Sequence, residues 1–363
     1  MTRVWTWGLA GLLAAGCGPG APVEPVDNRF DQALVVTSDY QSGSYATVGR
    51  RDRRAVRDIG AIHPDAVCRT DPESGAPYLI ARLGADSLAR LDPLAGWEVA
   101  REFSTGPGSN PQDLALVSAE RAFVPLYARP ALAVLDPRDG RPLGEVDLSA
   151  WADADGSPEA ASVLAHGGRV FVSLQRLVDF QPGPPSLLLA LDAADGALVA
   201  ELELAAQNPF ARLRLSPDGR LVVPLAGVFG VADGGVQLVD PAAPRPGDLA
   251  VSEAALGGDV VDAVVLDAAR GYAIVAEGGV ALEARTRVVR FDPTRGEVRA
   301  ELARADSYAH AALELSPDGE ELWLADRTRA RPGVRIFSTA DDEELTPEPI
   351  STGLPPACIC FVP

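Results

Sequence analysis

Short apolar runs separated by turn residues extend along almost the whole chain from residue 33 onward. The clearest stretch consists of four runs, at residues 113–117, 121–126, 131–136 and 142–146. Runs of this length, bounded by Gly, Pro and Asp, are typical of β-strands. We find no convincing long stretch with the 3.6-residue period of an amphipathic helix. The pattern therefore predicts an all-β protein.

One turn sequence divides these runs into repeating units. Asp-Pro-Arg-Asp-Gly at 136–140 follows the third run of the stretch above, and both Asp and Gly favour a tight hairpin turn. Copies of this turn, some of them degenerate, begin at Asp52, Asp92, Asp192, Asp240, Asp292 and Ser338. The successive spacings are 40, 44, 56, 48, 52 and 46 residues, which is the size of one propeller blade.

The two ends of the repeat region complement each other. The first unit lacks an innermost strand before residues 33–38, whereas residues 351–362 resemble residues 104–117, where a complete unit begins. A C-terminal strand that completes blade 1 would close the ring and leave no free strand edge at the axis. Residues 33–363 are therefore predicted to form a seven-bladed β-propeller of four-stranded antiparallel blades.

The order of strand, Leu-Asp-Pro-x-x-Gly, strand, Asn-Pro, strand and Ser-Pro-Asp-Gly resembles the YVTN-type seven-bladed propellers of microbial surface proteins. It resembles the lactonase-like propellers more loosely. The resemblance covers nearly all of residues 33–363, but its motifs are turn residues and imply the fold more than the function. The Gly-His and Trp-Asp pairs of WD-repeat blades are absent from the sequence.

The N-terminus has the organisation of an export signal. Arg3 precedes an apolar run at residues 4–15 that is too short to span a bilayer as a mature helix. Leu13-Ala-Ala-Gly-Cys17 resembles the lipobox of bacterial lipoproteins, which implies cleavage after residue 16 and acylation of Cys17. An ordinary signal peptide that happens to contain a cysteine is the alternative.

The predicted anchor also defines the domain organisation and the location. Residues 1–16 are the signal peptide, and residues 17–32, rich in Pro, Gly and acidic residues, form a flexible tether. Two or three acyl chains would hold the protein at the cell envelope, because a single chain anchors only marginally. Gly18, in place of the Asp that often signals inner-membrane retention, favours the outer membrane in a Gram-negative cell.

A net charge of −19 argues against nucleic acid and anionic lipid headgroups as partners. All 32 basic residues are arginine, which we attribute to a GC-rich genome because Ala, Gly and Pro are also abundant. We expect a monomer that contacts the membrane through its lipid and binds an envelope protein or a small ligand.

Long, irregular loops predict where a ligand would bind. In a propeller of this kind the loops that join the second and third strands of a blade share one face with the loops between blades, and here those loops are the longer ones. Neutral drift in loop length is the alternative. The side chains expected around the channel mouth on this face are His63, Asp65, Asn110, Glu159, Asn208, Asp262 and His310.

Carboxylates and amides around a pore could bind a ligand or Ca²⁺, although Asn and Asp also suit the start of a strand for backbone reasons. Other chemistry has little support. Three histidines form no cluster, the cysteines lack zinc-site spacing, and neither a nucleophile elbow nor a phosphate-binding loop is present. We therefore expect no cofactor and no metal.

The function favoured by these observations is a ligand- or protein-binding propeller rather than an enzyme. A lactonase-like hydrolase with its site at the channel mouth is the enzymatic alternative. A structural subunit of an envelope complex is a third possibility.

Cys68, Cys358 and Cys360 remain after the predicted lipidation of Cys17. Cys358 and Cys360 are two apart on one strand, a poor spacing for a bridge between them. Cys68 is expected on the innermost strand of blade 2, next to the terminal strand, so a disulfide from Cys68 to either residue is possible. Three buried free thiols are the alternative.

Overall fold

Seven antiparallel sheets follow one another around a ring in the computed structural model, which describes residues 31–362. The predicted signal peptide at 1–16, the lipidation site Cys17 and most of the predicted tether at 17–32 lie outside the described residues. Within residues 31–362 no helix is long and apolar enough to cross a membrane.

Blades 1 to 3 each contain four strands. Blade 1 consists of β1 Gln32–Ser38, β2 Gly43–Gly49, β3 Ala55–Ile62 and the terminal β29 Pro356–Val362. Blade 2 consists of β4 Ala66–Thr70, β5 Pro77–Ala81, β6 Ser87–Asp92 and β7 Glu98–Ser104. Blade 3 consists of β8 Ala115–Ser118, β9 Arg121–Leu126, β10 Ala131–Leu135 and β11 Pro142–Asp147.

Blades 4 and 5 carry additional short elements. Blade 4 consists of β12 Ala160–His166, β13 Arg169–Leu174, β16 Leu187–Asp192 and β17 Leu198–Glu203, with a small hairpin of β14 Leu177–Val178 and β15 Gln181–Pro182. Blade 5 consists of β18 Arg214–Leu215, β19 Leu221–Leu225, β20 Gly235–Val239 and β21 Leu249–Ser252, followed by α1 Glu253–Leu256.

Blades 6 and 7 complete the ring. Blade 6 consists of β22 Asp259–Asp267, β23 Arg270–Glu277, β24 Arg285–Asp292 and β25 Glu297–Ala305. Blade 7 consists of β26 His310–Leu315, β27 Glu321–Asp326 and β28 Gly333–Ser338. Its outermost strand is reduced to two isolated bridges, Phe337 with Glu344 and Val334 with Ile350. The chain there contains Pro347 and Pro349, which cannot donate ladder hydrogen bonds.

The predicted ring closure is confirmed. The terminal strand β29 pairs antiparallel with β1, with Val36 opposite Cys358 and Leu34 opposite Cys360. The predicted hairpin turns are also present. In the turn at 92–96 the Asp92 side chain accepts a hydrogen bond from the backbone N–H of Leu94, and Gly96 has a φ of 73° that favours glycine.

The apolar core is divided among the junctions between blades. Seven buried apolar clusters occur in residues 31–362, one at each junction of adjacent blades. The inner strands are covered on both faces, as in the continuous buried run of β13, whereas outer strands such as β7 are mostly exposed. Because the core occupies the junctions, the axis is left for polar side chains.

Candidate ligand-binding mouth of the channel

The axial channel widens into a cavity at each end. One cavity, of about 850 Å³, is surrounded by the loops between blades and the loops between second and third strands, and we call it the mouth cavity. The other, of about 730 Å³, is surrounded by the turns between first and second strands, and we call it the rear cavity. The mouth cavity lies on the face that the loop lengths predict as the binding face.

A belt of ion pairs and hydrogen bonds forms the waist between the two cavities. Arg69 of β4 pairs with Asp113, with Nη2 2.6 Å from Oδ2. The same carboxylate accepts from the Ser162 hydroxyl on β12 at 2.5 Å, and the Ser162 oxygen accepts from the backbone N–H of Leu213 at 2.9 Å. These contacts join blades 2, 3, 4 and 5.

Asp262 links blades on the other side of the ring, as Asp113 does on the first side. Arg214 donates to both of its oxygens, Nη1 to Oδ1 at 2.5 Å and Nη2 to Oδ2 at 2.8 Å. The Leu313 backbone N–H of blade 7 also donates to Asp262 Oδ2, at 2.9 Å. Asp262 therefore lies inside β22 and lines the cavity wall as a bridge between blades, not at the start of the strand.

Arg212 completes the belt. Its guanidinium pairs with Glu314 of blade 7, and its Nη2 donates to the Ile359 carbonyl of the terminal strand at 3.2 Å. Burial, together with the like charges of Arg214 and Arg69, lowers the pKa of Arg212 to about 9. The guanidinium is thus charged at neutral pH in a site that favours additional negative charge.

Four of the seven predicted mouth residues line the mouth cavity, namely His63, Asp65, Asn110 and Asp262. Asp65 pairs with Arg82, whose Nε lies 3.0 Å from Oδ1, and Arg82 Nη1 donates to Gln112 Oε1 at 3.0 Å. The His63 ring nitrogen Nδ1 accepts from the Asp65 backbone N–H at 3.2 Å. The imidazole of His63 is thus held by the backbone of Asp65, and both residues line the cavity.

Asn110 and Asn208 stabilise backbone at the start of a blade. The Asn110 Oδ1 accepts from the Leu83 N–H at 3.0 Å, and Asn208 Nδ2 donates to the Gly227 carbonyl at 3.1 Å. Both residues have left-handed φ angles, 48° and 58°. Asn208 does not line the mouth cavity, since it is buried beneath Gln175. The backbone preference of Asn accounts for both positions.

Glu159 and His310 also lie away from the mouth cavity. Glu159 is buried and accepts from the Leu177 N–H at 2.9 Å. Burial and the nearby Asp155 and Asp153 raise its pKa to about 7, and the three carboxylates lie within 4.8 Å of one another. His310 is fully buried, and burial lowers its pKa to about 4.

The pattern of acidic and amide residues in the sequence did not indicate three other side chains of the mouth cavity, those of Arg327, Tyr40 and Phe180. Arg327 follows β27 and donates to the Ser38 carbonyl at 3.0 Å, and its guanidinium carbon lies 4.5 Å from the centre of the Tyr40 ring. Tyr40 and Phe180 border the cavity and are 70% and 84% exposed. A charged residue at the end of a buried strand was the available signal for Arg327.

The three cysteines of the described chain meet at the junction of blades 1 and 2. Cys68 of β4 and Cys360 of β29 form a disulfide, with Cα atoms 6.1 Å apart. Cys358 is a free, buried thiol, and its Sγ lies 3.5 Å from that of Cys68. Cys358 lines the mouth cavity, whereas Cys360 lines the rear cavity.

Comparisons with solved structures show the propeller fold. A protein of Bacteroides fragilis with a proposed 6-phosphogluconolactonase activity is 13% identical, with a TM-score of 0.60, and the alignment covers 94% of this chain and all of that one. Kuenenia stuttgartiensis hydrazine synthase is 15% identical, with a TM-score of 0.61, over 83% of this chain and 92% of that one. Dihydro-heme d1 dehydrogenase NirN is 17% identical, with a TM-score of 0.58, and the alignment covers 95% of this chain and 78% of that one.

These structures share the fold and differ in activity. No protein-family model matches the chain, and no curated protein matches it. The likeness therefore extends to the β-propeller architecture and does not extend to an activity.

Proposed function

We propose that this protein is an envelope lipoprotein, anchored through Cys17, whose propeller binds a small organic anion with an apolar or aromatic part in the mouth cavity. The observation that carries the proposal is the reversal of charge at this cavity. Five arginines and three aspartates line it, in a chain whose net charge is −19. An acidic protein that gathers arginine around a cavity of ligand size provides an attractive site for an anion.

Arg327 is the arginine best placed to meet that anion. Arg69, Arg82 and Arg214 are paired with the three aspartates, and Arg212 is paired with Glu314 from the rear cavity. The donors of Arg327 face the backbone carbonyls of Ser38, Pro355 and Pro356 and no carboxylate among residues 31–362. The Asp39 carboxylate attracts this guanidinium but forms no ion pair with it, since its Oδ1 accepts from the backbone N–H groups of Gln41 and Ser42. Within that part of the chain Arg327 therefore has no direct carboxylate partner.

The apolar part of the ligand is expected at the aromatic border of the cavity. Tyr40 and Phe180 have φ angles of 70° and 60°, which bulky side chains seldom adopt. Such backbone conformations concentrate at functional sites, and here they hold two exposed rings at the cavity border, with Tyr40 directly beside Arg327. An aromatic or aliphatic carboxylate or phosphate ester fits this combination of charge and surface.

The lactonase-like alternative, with its site at the channel mouth, is not favoured by the side chains that line the mouth cavity. A general base or a metal site would need a free carboxylate, whereas Asp65, Asp113 and Asp262 are each engaged by an arginine. The alternative stays a prediction that lactone turnover would test.

The proposal is tested by ligand binding to the full chain. A thermal-shift screen would compare aromatic carboxylates, aliphatic carboxylates and phosphate esters with the corresponding amides and amines, which are the neutral and cationic counterparts. We expect only the anions to raise the melting temperature of the protein. Isothermal titration of the best anion should then show binding about tenfold or more weaker for Arg327→Gln, because a charge-assisted hydrogen bond contributes about 1.5–3 kcal/mol.

The matched control for this variant is Arg331→Gln, in the same loop, whose side chain is 68% exposed and pairs with Glu348. It should bind like the wild type. Preferential stabilisation by the amides or amines, or equal affinity of both variants, would refute the proposal. Hydrolysis of a lactone would replace it with the enzymatic alternative.

A further inference from the structure

Three sulfur atoms from two strands lie together at the channel waist. Cys358 and Cys360 are two apart on β29, and Cys68 is on the neighbouring β4 of blade 2. All three Sγ atoms lie within 4.8 Å of one another, and those of Cys68 and Cys358 are 3.5 Å apart. The sequence shows no metal-site spacing, because 290 residues separate Cys68 from Cys358.

We propose that, once the Cys68–Cys360 disulfide is reduced, these three cysteines form a binding site for one soft, thiophilic d10 cation such as Zn²⁺ or Cd²⁺. Thiolates bind Zn²⁺ at about 2.3 Å, which places tetrahedral sulfur ligands about 3.8 Å from one another. The spacing of Cys68 and Cys358 is already close to this value. Reduction removes the covalent constraint between the other two sulfurs, which allows them to separate to the same distance.

Compactness distinguishes this site from one for thiol–disulfide exchange. Exchange requires the attacking sulfur to approach in line with the bond that breaks. With all three sulfurs within 4.8 Å, Cys358 lies to the side of the Cys68–Cys360 bond and not at its end. A triangle of sulfurs suits a shared central ion.

The arginines of the waist favour the thiolate form of the ligands. Arg212 Nη1 lies 3.7 Å from Cys360 Sγ, and Arg69 directly follows Cys68 in the chain. A guanidinium this close to sulfur ligands stabilises their negative charge once they bind a cation as thiolates. Three thiolates and a divalent cation together carry one negative charge, and the guanidinium of Arg212 lies beside it.

The channel supplies a route for the ion. Cys358 faces the mouth cavity and Cys360 the rear cavity, so a cation can arrive from either end. Three protein ligands leave one tetrahedral position that can face the channel, as in zinc sites that bind a further ligand.

Reduction acts as the switch. An external dithiol supplies two electrons and two protons, becomes a disulfide itself, and converts Cys68 and Cys360 to thiols. The cation then displaces the thiol protons as it binds. In the oxidised protein only Cys358 remains as a ligand, so binding is restricted to the reduced form.

The experiment uses the full chain with Cys17→Ser, which leaves only the three clustered cysteines. After anaerobic reduction with a phosphine, the protein is titrated with Cd²⁺ and followed by the ultraviolet thiolate-to-metal charge-transfer band. We expect saturation at one Cd²⁺ per chain, and no band from the oxidised protein. Cys358→Ser should weaken binding at least about tenfold, as the loss of a ligand must exceed that of an outer-shell contact.

Cys358→Ser keeps the disulfide, so the oxidised variant should melt like the wild type and serves as the folding control. The proposal is overturned if the reduced protein binds no stoichiometric Cd²⁺, or if Cys358→Ser binds it as tightly as the wild type. Loss of the near-ultraviolet circular dichroism on reduction that Cd²⁺ does not restore would also overturn it. None of these readouts depends on the anion, so this site stands or falls separately from the proposed function.

Discussion

Arg214 and Asp262 form a two-pronged ion pair at the axis, with side chains only 10% and 6% exposed. The carboxylate belongs to blade 6 and the guanidinium to blade 5, and both also bond the backbone of Leu313 in blade 7. Asp113 makes the corresponding links among blades 2, 3 and 4. In a ring whose apolar core is divided among seven junctions, this polar belt joins blades across the channel.

Removal of one partner from this pair should destabilise the ring strongly. Asp262→Asn would remove the two-pronged partner of the buried Arg214 guanidinium and leave it only the longer contact with Glu314, at 3.6 Å. Breaking a buried pair costs about 3–5 kcal/mol. Urea unfolding of the full chain measures the loss. Glu348→Gln, which breaks the exposed pair with Arg331, should change stability by less than about 1 kcal/mol. Similar losses from both substitutions would contradict the belt's role.

The closing strand provides a second test of the ring. Deletion of residues 357–363 removes most of β29 and exposes the edge of β1, and it also removes Cys360 and its link to Cys68. We expect aggregation or loss of the cooperative thermal transition, because an unpaired strand edge would then lie at the axis. A truncated protein that melts as cooperatively as the full chain would show that closure does not depend on β29.

The turns and the closure could be predicted from the sequence because each depends on local residues. Asp92 and Gly96 make their turn with their own backbone, and residues 351–362 repeat a pattern present at 104–117. The outermost strand of blade 7 was expected to be regular. Two prolines and an acidic run leave it only isolated bridges, which a repeat count alone does not show.

The candidate site was less accessible to sequence reasoning, because its contacts join distant parts of the chain. Arg327 meets Tyr40 only after the ring closes, 287 residues apart in the sequence. Asn208 and Glu159 have residue types that suit a ligand site, yet their side chains bond the backbone nearby. Asn and Glu side chains can bond nearby backbone or bind a ligand, so the sequence pattern could not distinguish these two roles.

The fully buried Glu253 should make stability depend on pH. Burial raises its pKa to about 7, above the ordinary value of 4.5, although the N–H groups of Val260 and Gly234 donate to its oxygens. The folded protein therefore binds more protons than the unfolded chain between about pH 4.5 and 7. Stability is lost as the pH rises through this window.

Glu253→Gln removes this titration, so its unfolding free energy relative to the wild type should rise between pH 5 and pH 8. The separation of the two pKa values corresponds to about 3 kcal/mol. Glu159 titrates in both proteins and cancels from the comparison. Chemical unfolding at a series of pH values measures the difference, and a pH-independent difference would show that Glu253 is ionised throughout.

The proposed anchor predicts a covalent modification at Cys17. Expressed in a bacterium, the protein should incorporate labelled fatty acid and partition into the detergent-soluble membrane fraction, because acyl chains supply the anchoring energy. Cys17→Ala should lose the label, whereas Cys358→Ser should keep it. A wild-type protein that remains unlabelled and outside the membrane fraction would show that the N-terminal segment is not a lipoprotein signal.

The exposed ring of Phe180 should affect ligand affinity without affecting stability. Because this side chain is 84% exposed, Phe180→Ala should leave the melting temperature unchanged. Loss of an aromatic contact of about 0.5–1.5 kcal/mol should weaken the binding of an aromatic anion about two- to twelvefold in isothermal titration, and that of an aliphatic anion much less. Leu282→Ala is the matched control, since Leu282 is 72% exposed on the corresponding loop of blade 6 and does not line the mouth cavity. Equal affinities of the two variants for the aromatic anion would show that its apolar part does not contact Phe180. A wild-type protein that binds the aliphatic anion more tightly would show that the aromatic border is not part of the binding site.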